Sequence, residues 1–403
     1  MEEENCSSSN GRRRRLILHE FISPDQCKEL EYIHKSNSTV GYRPNVFSTT
    51  LSHLVATNCS HFIIPFVPIR ERLKEKVEEF FDCEYELVIE FTGLISWTKG
   101  ASIGWHSDDN RPYLKQRDFT AVCYLNTYEK DFKGGLFHFQ DGEPSTIAPM
   151  AGDVAIYTAD SQNIHSVDEV TDGERLTLTL WFSRDSNHDE DAKLISRLNE
   201  RMLYSPTTGL LDSYLPLPAS SNMYWFSQDH HKSGFDICCA RIHVNGFNLF
   251  PSQDLRCIPD VDELLIKPLQ LSRGTELFGH EFSNVLHALQ VVQFYCWKSC
   301  ELENFEEEET RKLERLLSDP ERELIDLQKS IFVKDRQLAE TVFSSATCEE
   351  SRRQRFDWAE FSRALTTWEN YICRLRKEFL MSLPYWKTHL SIHTIQFDKH
   401  NNS

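Results

Sequence analysis

The sequence predicts an α+β chain built around a double-stranded β-helix (a jelly-roll, cupin-like core), with helices before it and a largely helical C-terminal region. Between residues 86 and 185, short stretches rich in β-branched and aromatic residues alternate with clusters of glycine, proline and aspartate. Several short strands at such spacing are typical of antiparallel sandwiches and barrels. The predicted strands are Val88–Trp97, Asp118–Asn126, Leu136–Phe139, Asp153–Ala159 and Arg175–Phe182.

The N-terminal residues predict a tail followed by a strand and a helix. Residues 1–15 are acidic, then rich in serine and asparagine, then basic, and we expect them to be disordered. The Arg12–Arg15 run is more typical of solvated charge than of a nuclear-import or phosphate-binding patch. A strand at Leu16–Leu18 precedes a helix that begins around Pro24 and runs to about His34, because the preceding serine can cap it and proline suits its first position.

Residues 186–403 predict an accessory region that is mixed at first and helical later. Apolar residues recur there at three- and four-residue spacing in two stretches, as they do on one face of a helix. Such stripes are more often packed core than a surface for oligomerisation or substrate docking, and both uses stay open. The first stripe runs from Leu313 to Ile331, and the second comprises Phe361, Leu365, Trp368, Ile372, Leu375 and Phe379.

Composition and charge exclude several classes of function. The chain has 403 residues and a formal net charge of −18, so its surface as a whole should repel nucleic acid and anionic membranes. It has no apolar run long enough to span a membrane. Its 12 cysteines are scattered along a long chain, which favours reduced thiols over a disulfide framework. Because we find neither a signal-peptide core nor an ER-retention signal, we expect a cytoplasmic or nuclear protein that binds no nucleic acid.

Two histidines and an aspartate have the spacing of a metal site. If the segment around His106 and Asp108 is extended, these two side chains point to the same side and can reach one ion. A third ligand type, His165, follows the predicted strand Asp153–Ala159. Two histidines and one carboxylate on one face of an octahedral metal leave positions open, which is the arrangement of non-haem Fe(II) oxygenases. By itself, a His-x-Asp pair is more typical of a charged surface loop than of a metal site.

The predicted strand Arg175–Phe182 alternates strictly between an aliphatic and a mixed face. Leucines and a phenylalanine form the first face, which is fit to pack against an outer layer. The second face carries Arg175, Thr177, Thr179 and Trp181 toward the barrel. Burying a guanidinium without an anionic partner is costly. The partner is either an internal carboxylate or a dicarboxylate cosubstrate, which arginine can hold through two charged hydrogen bonds.

Taken together, these motifs resemble the prolyl hydroxylase branch of the 2-oxoglutarate/Fe(II) oxygenases. The resemblance lies in the order of the parts: His-x-Asp, a Gly-Gly turn, a distant histidine and an arginine ten residues later. The segments Arg117–Asn126, Gly134–Phe139 and Thr179–Phe182 are most similar to the catalytic core of the procollagen prolyl 3-hydroxylases. The resemblance covers residues 86–185 and implies a dioxygenase domain over residues 16–185.

Carried over position by position, the resemblance implies a complete active site. It implies Fe(II) ligands and catalytic residues at His106, Asp108 and His165, and 2-oxoglutarate contacts from Arg175 and Tyr124. Thr177 is added as a supporting cosubstrate contact from the strand alternation alone. Trp97 departs from the pattern, since prolyl hydroxylases often carry a tyrosine there.

The implied reaction is hydroxylation coupled to oxidative decarboxylation of 2-oxoglutarate to succinate and CO2, with ascorbate as the reductant. The leading substrate is a proline-containing protein or peptide. Two alternatives stay open: the same chemistry on another residue or a small molecule, and a non-catalytic binding or scaffold protein.

Overall fold

Two antiparallel sheets pack face to face, and helices cover the outer face of the larger one. This arrangement confirms the predicted α+β class with a jelly-roll core. The computed structural model describes residues 3–4, 14–36, 40–43, 45–56, 59–204, 294, 297–298 and 358–395.

The α-helices of the described residues flank the strands in sequence. They are α1 (Pro24–Ser36), α2 (Leu51–Ala56), α3 (Val67–Phe81), α4 (Glu190–Tyr204) and α5 (Trp358–His389). Short 3-10 helices span Ser60–Phe66, Pro112–Leu114, Ser161–Asn163 and Ser186–His188.

The strands divide into two sheets. They are β1 (Glu3–Glu4), β2 (Arg15–Leu18), β3 (Val40–Arg43), β4 (Val46–Thr50), β5 (Val88–Thr98), β6 (Ile103–His106), β7 (Phe119–Tyr124), β8 (Phe132–Gly134), β9 (Phe137–Phe139), β10 (Thr146–Ile147), β11 (Val154–Thr158), β12 (His165–Val167) and β13 (Val170–Ser183). The larger sheet has the order β1-β2-β11-β7-β13-β5-β4-β3, with β8 paired to β13, and the smaller has the order β10-β9-β12-β6.

All five strands predicted for the core are present, as β5, β7, β9, β11 and β13. Three strands of the smaller sheet, β6, β10 and β12, were not predicted. They have four, two and three residues, so none is long enough to show an apolar alternation. Helices α2, α3 and α4 were also not located individually in the sequence.

Side chains of the larger sheet alternate between two apolar layers. On β7, Ala121 and Cys123 pack against the helices, whereas Val122 and Tyr124 face the smaller sheet. On β11, Tyr157 also faces the smaller sheet. Because successive strand residues point to opposite faces, this alternation defines the inner face of the larger sheet, which is the face turned toward the smaller sheet.

The alternation predicted for β13 is confirmed. Leu176, Leu178, Leu180 and Phe182 are fully buried in the helix-side layer. Arg175, Thr177, Thr179 and Trp181 therefore lie on the inner face, where all four are also buried.

The expectation of a solvated tail is wrong for Arg15. This residue begins β2, pairs with β11 and is 4% exposed. Its guanidinium lies 3.7 Å from the centre of the Phe139 ring. A planar cation with an aliphatic stem can be buried where an aromatic ring and hydrogen-bond acceptors surround it, which a basic run in a sequence does not indicate.

The second predicted stripe forms part of α5 and packs on the domain. Trp368, Ile372 and Leu375 are buried, and the Trp368 indole donates a 2.7 Å hydrogen bond to the Tyr32 hydroxyl of α1. The side chains of Phe361 and Leu365, the whole Leu313–Ile331 stripe and residues 205–275 lie outside the described part of the chain. Within that part, every helix is too short or too polar to cross a membrane.

A buried charge cluster joins α3, β5 and α4. Arg70, 1% exposed, donates to the Asp191 carboxylate at 2.6 Å, to Glu190 at 3.3 Å and to the Thr92 hydroxyl at 3.0 Å. Glu190 also accepts from the Thr92 amide at 3.1 Å. Burial raises the pKa of Glu190 to about 7, and the Arg70 charge opposes that rise. The two carboxylates are tolerated at this depth because one guanidinium serves both.

We predict that Arg70→Ala lowers the free energy of unfolding by about 3–5 kcal/mol, because it leaves two buried carboxylates without their cation. Urea denaturation followed by circular dichroism measures the loss. The matched control is Lys76→Ala, since Lys76 pairs with Glu79 at the surface of the same helix, and it should cost less than about 1 kcal/mol. Equal losses for the two variants would show that the cluster contributes no more than a surface pair.

Candidate metal centre

The pairing of β6 with β12 brings two histidines together. His106 and His165 are direct partners in this antiparallel ladder, and their ring centres are 4.3 Å apart. Side chains that face each other across two strands project to the same side. The two imidazoles therefore share one side of the smaller sheet.

Backbone carbonyls fix which ring nitrogen of each histidine is free. Nδ1 of His106 lies 2.8 Å from the Gly104 carbonyl, and Nδ1 of His165 lies 2.9 Å from the Asn163 carbonyl. A carbonyl oxygen only accepts, so each Nδ1 carries the proton and each Nε2 keeps its lone pair for a metal. Burial lowers the pKa of His165, which favours the neutral imidazole that metals bind.

Asp108 joins the histidines for a reason that differs from the sequence prediction. Strand β6 ends at His106, so the shared extended segment expected for His106 and Asp108 is not formed. Instead, Oδ2 of Asp108 accepts hydrogen bonds from the Thr120 hydroxyl at 2.7 Å and the Tyr157 hydroxyl at 3.3 Å. These two donors leave Oδ1 facing the histidines.

The three donor atoms converge on one point. Oδ1 of Asp108 lies 3.9 Å from Nε2 of His106 and 3.8 Å from Nε2 of His165. All three atoms lie within 4.8 Å of one another. Two imidazole nitrogens and one carboxylate oxygen in a facial arrangement match the donor set of non-haem Fe(II). The residues present therefore fit the metal that the sequence implied.

Arg175 is the first of the four inner-face residues of β13 named above, and Trp181 is the last. It is 2% exposed, and its Nε has no hydrogen-bond partner. Its guanidinium carbon lies 5.1 Å from the centre of the Tyr124 ring and 5.8 Å from that of Trp97. The arginine ion pairs of the described residues are those of Arg14, Arg70, Arg117 and Arg184, so an internal carboxylate partner for Arg175 is not found there. A buried guanidinium in this state fits an anionic ligand.

Tyr124 and Thr177 are partners across β7 and β13, next to Arg175. The Tyr124 hydroxyl is buried beside the Arg175 guanidinium. Burial raises the pKa of Tyr124 and Arg175 opposes that rise, so the hydroxyl keeps its proton and can donate it to a ligand. The Thr177 hydroxyl differs because it donates to the Ile95 carbonyl at 3.3 Å. Tyr124 therefore offers a free donor beside Arg175, whereas Thr177 would first have to release Ile95.

Gly135 and Trp97 complete the surroundings of Arg175. A Cβ at Gly135 would lie 3.2 Å from Cδ of Arg175, and the glycine has a φ of +64°, which L side chains rarely adopt. The Gly-Gly turn thus makes space for the arginine. Trp97 is the direct strand partner of Arg175 and is 8% exposed. The tryptophan that departs from the prolyl hydroxylase pattern therefore forms the wall on the β5 side of the arginine.

Trp181 and Trp105 differ in whether they face the interior of the sandwich. Trp181 is buried on the inner face with an unpartnered Nε1, under the guanidinium of Arg117 at 3.5 Å. Trp105 is 56% exposed and, as the neighbour of His106 in β6, points to the opposite side of the smaller sheet. Of the two, Trp181 contributes to the interior wall.

Sequence reasoning missed the residues that hold the ligands. Thr120 and Tyr157 orient Asp108, and Asn163 and Gly104 orient the histidines through their carbonyl groups. The alternation of β7 could have placed Thr120 on the inner face. A tyrosine in an apolar strand gives no such signal, because it has the pattern of an ordinary core aromatic.

Comparisons with known proteins agree with this site. Residues 92–183 match the model of the 2OG-Fe(II) oxygenase superfamily. Prolyl 3-hydroxylase 1 of Rattus norvegicus is 26% identical over 258 residues, which are 53% of this chain and 34% of that protein. The Homo sapiens protein called 2-oxoglutarate and iron-dependent oxygenase domain-containing protein 3 is 36% identical over 85 residues, 21% of this chain and 27% of its own.

Among solved structures, a Pseudomonas putida prolyl-4-hydroxylase aligns with a TM-score of 0.36 at 16% identity, covering 43% of this chain and 94% of that one. The chain spans only about a third of the length of the curated prolyl 3-hydroxylase that it matches (34%). Residues 92–183, which contain the three converging side chains together with Tyr124 and Arg175, therefore match a domain of the 2OG-Fe(II) oxygenase superfamily.

Proposed function

We propose that this protein is a 2-oxoglutarate- and Fe(II)-dependent dioxygenase that hydroxylates prolyl residues in protein substrates. One observation carries the proposal. The donor atoms of His106, Asp108 and His165 converge, and a buried Arg175 with an unpartnered Nε lies on the inner face of the same sandwich. A metal site alone would fit many activities, whereas a metal site with a buried anion-binding arginine fits a metal-chelating dicarboxylate.

The proposed reaction consumes one dioxygen and one 2-oxoglutarate for each hydroxyl group formed. One oxygen atom enters the C–H bond of the substrate, and the other enters succinate as 2-oxoglutarate loses CO2. When bound, Fe(II) supplies the redox chemistry for this step. Arg175 and Tyr124 would hold the distal carboxylate of 2-oxoglutarate through charged and neutral hydrogen bonds. The apolar inner layer around them excludes water from the reacting groups.

The prolyl substrate rests on the similarity to prolyl 3-hydroxylase 1. The same chemistry on another residue or on a small molecule is the second candidate, because the residues around the metal do not select proline by themselves.

Ascorbate is proposed as the reductant that restores Fe(II) after turnovers without substrate. An inert scaffold is disfavoured, since the complete ligand set and the arginine are all present.

Removal of one donor side chain tests the proposed metal site. His165→Ala should abolish Fe(II) and Mn(II) binding at micromolar metal, because it removes one of three converging donors. Calorimetry under anaerobic conditions measures this. His138→Ala is the matched control, since His138 lies on the adjacent strand β9 and bonds Thr146 and Asp168 instead. It should bind metal as wild type does, and a similar loss in both variants would contradict the assignment.

Removal of the Arg175 guanidinium tests the proposed 2-oxoglutarate contact. Arg175→Ala should raise the KM for 2-oxoglutarate about 10- to 100-fold, because a charged hydrogen-bonding partner of its carboxylate is lost. Metal affinity should stay unchanged. The assay is 2-oxoglutarate-dependent succinate formation with a proline-rich peptide pool. Arg184→Ala, which removes an exposed arginine that bonds Asp118 at the end of the same strand, serves as the control. An unchanged KM in Arg175→Ala would overturn the anion-binding role.

The position of the added oxygen atom tests the proposed prolyl substrate. Mass spectrometry of proteins from cells with wild-type protein and with His165→Ala should show prolyl residues heavier by one oxygen atom in the wild type only. Peptide fragmentation locates the oxygen on the ring. If the differential oxygen fell on lysine or arginine instead, the prolyl substrate would be wrong while the dioxygenase chemistry stood.

A further inference from the structure

One row of side chains crosses the larger sheet beneath the metal centre. Arg15 of β2 is the partner of Tyr157 in β11, Tyr157 is the partner of Thr120 in β7, and Thr120 is the partner of Trp181 in β13. Partners in adjacent strands project to the same face, so all of them lie on the inner face. Tyr157 and Thr120 already hold Asp108. Arg15, at the end of the row, has no place in the function described so far.

The Arg15 side chain reaches the loop that precedes His165. Its Nε donates to Oδ1 of Asn163 at 2.6 Å. Its other guanidinium nitrogens donate to the carbonyl groups of Pro144, at 3.2 Å, and Asp141. The guanidinium thus connects the turn between β9 and β10 with the 3-10 helix Ser161–Asn163, and both segments flank the metal ligand.

Asn163 transmits this contact to the histidine. Its side-chain amide donates to the Thr158 hydroxyl at 2.7 Å while its side-chain oxygen accepts from Arg15. Its backbone carbonyl accepts from Nδ1 of His165 at 2.9 Å. With its side chain held on two sides, Asn163 is 1% exposed and presents its carbonyl in one direction.

A second path runs through an aromatic ring. Arg15 lies over Phe139 at 3.7 Å, and Phe139 is the strand partner of His165 with ring centres 6.3 Å apart. The arginine therefore supports His165 both through the carbonyl that orients its imidazole and through the ring beside it.

We propose that Arg15 is a positioning residue for the metal: it fixes the carbonyl of Asn163 and hence the direction in which Nε2 of His165 points. This inference rests on the proposed metal-dependent function. It requires the geometry of arginine, because three separate guanidinium nitrogens donate to Asn163, Pro144 and Asp141 at once, whereas the three N–H groups of a lysine ammonium radiate from one nitrogen. Groups that orient a ligand in this way typically change metal affinity about 10- to 100-fold when removed.

The test compares Arg15→Met and Arg15→Lys with Arg14→Met in the full chain. Arg14 is the matched control because it is the neighbouring arginine, is exposed, and bonds Asp82 and the Phe80 carbonyl on α3. Mn(II) affinity is measured by electron paramagnetic resonance after circular dichroism has shown each variant folded. We expect about 10- to 100-fold weaker binding for Arg15→Met, a smaller loss for Arg15→Lys, and no change for Arg14→Met.

A spectroscopic measurement separates positioning from stability. In the Co(II)-substituted protein, the visible absorption bands report ligand geometry, so Arg15→Met should shift or broaden them while Arg14→Met should not. If Arg15→Met does not fold, Arg15→Lys against Arg14→Lys provides the same comparison. Wild-type affinity and an unshifted Co(II) spectrum in the Arg15 variants would overturn this inference alone. Failure of the wild-type protein to bind Mn(II) or Co(II) would overturn the proposed function with it.

Discussion

The metal centre depends on the register of one short strand pair. β6 lies at the edge of the smaller sheet and is paired with β12 alone within it. In this register His106 faces His165, whereas a shift by one residue would turn one imidazole to the other side of the sheet. Strands of four and three residues set such a register weakly by themselves. The contacts around them, from the Asn163 carbonyl to the ring of Phe137 stacked 4.8 Å from His165, therefore share in holding the site.

Three buried arginines show how the surroundings of a guanidinium indicate its role. Arg70 lies between two carboxylates and two helices, so its charge is matched internally and its role is structural. Arg15 bonds an amide and two carbonyl groups and stacks on a ring, so it connects two segments beside the candidate metal centre. Arg175 is buried beside aromatic rings with its Nε unpartnered. Of the three, Arg175 is therefore the one suited to an external anion.

Much of the core could be predicted from the sequence because its signals are local. The alternation in β13 indicated both faces of that strand, and the His-x-Asp pair marked the site. The contacts that bring Asp108 to the two histidines could not be predicted from the sequence. Asp108 is held by Thr120 and Tyr157, which lie 12 and 49 residues away in sequence, and neither residue type is distinctive in a strand. Arg15 was misjudged for a related reason: a run of arginines has the same composition whether its last member is solvated or packed on Phe139.

The contact between Trp368 and Tyr32 joins a C-terminal helix to the helix that precedes the sheet. Helix α5 comes more than 170 residues after the end of the oxygenase match, yet Trp368, Ile372 and Leu375 share an apolar layer with α1 and the outer side of the sheet. Among the described residues, this apolar layer is therefore built from segments that lie far apart in sequence, and α5 is one of them. A fragment that ended at residue 183 would lack α5 and would expose Tyr32 and its apolar neighbours on α1 to water. The solubility of that fragment would depend on the missing helix as much as on the domain itself.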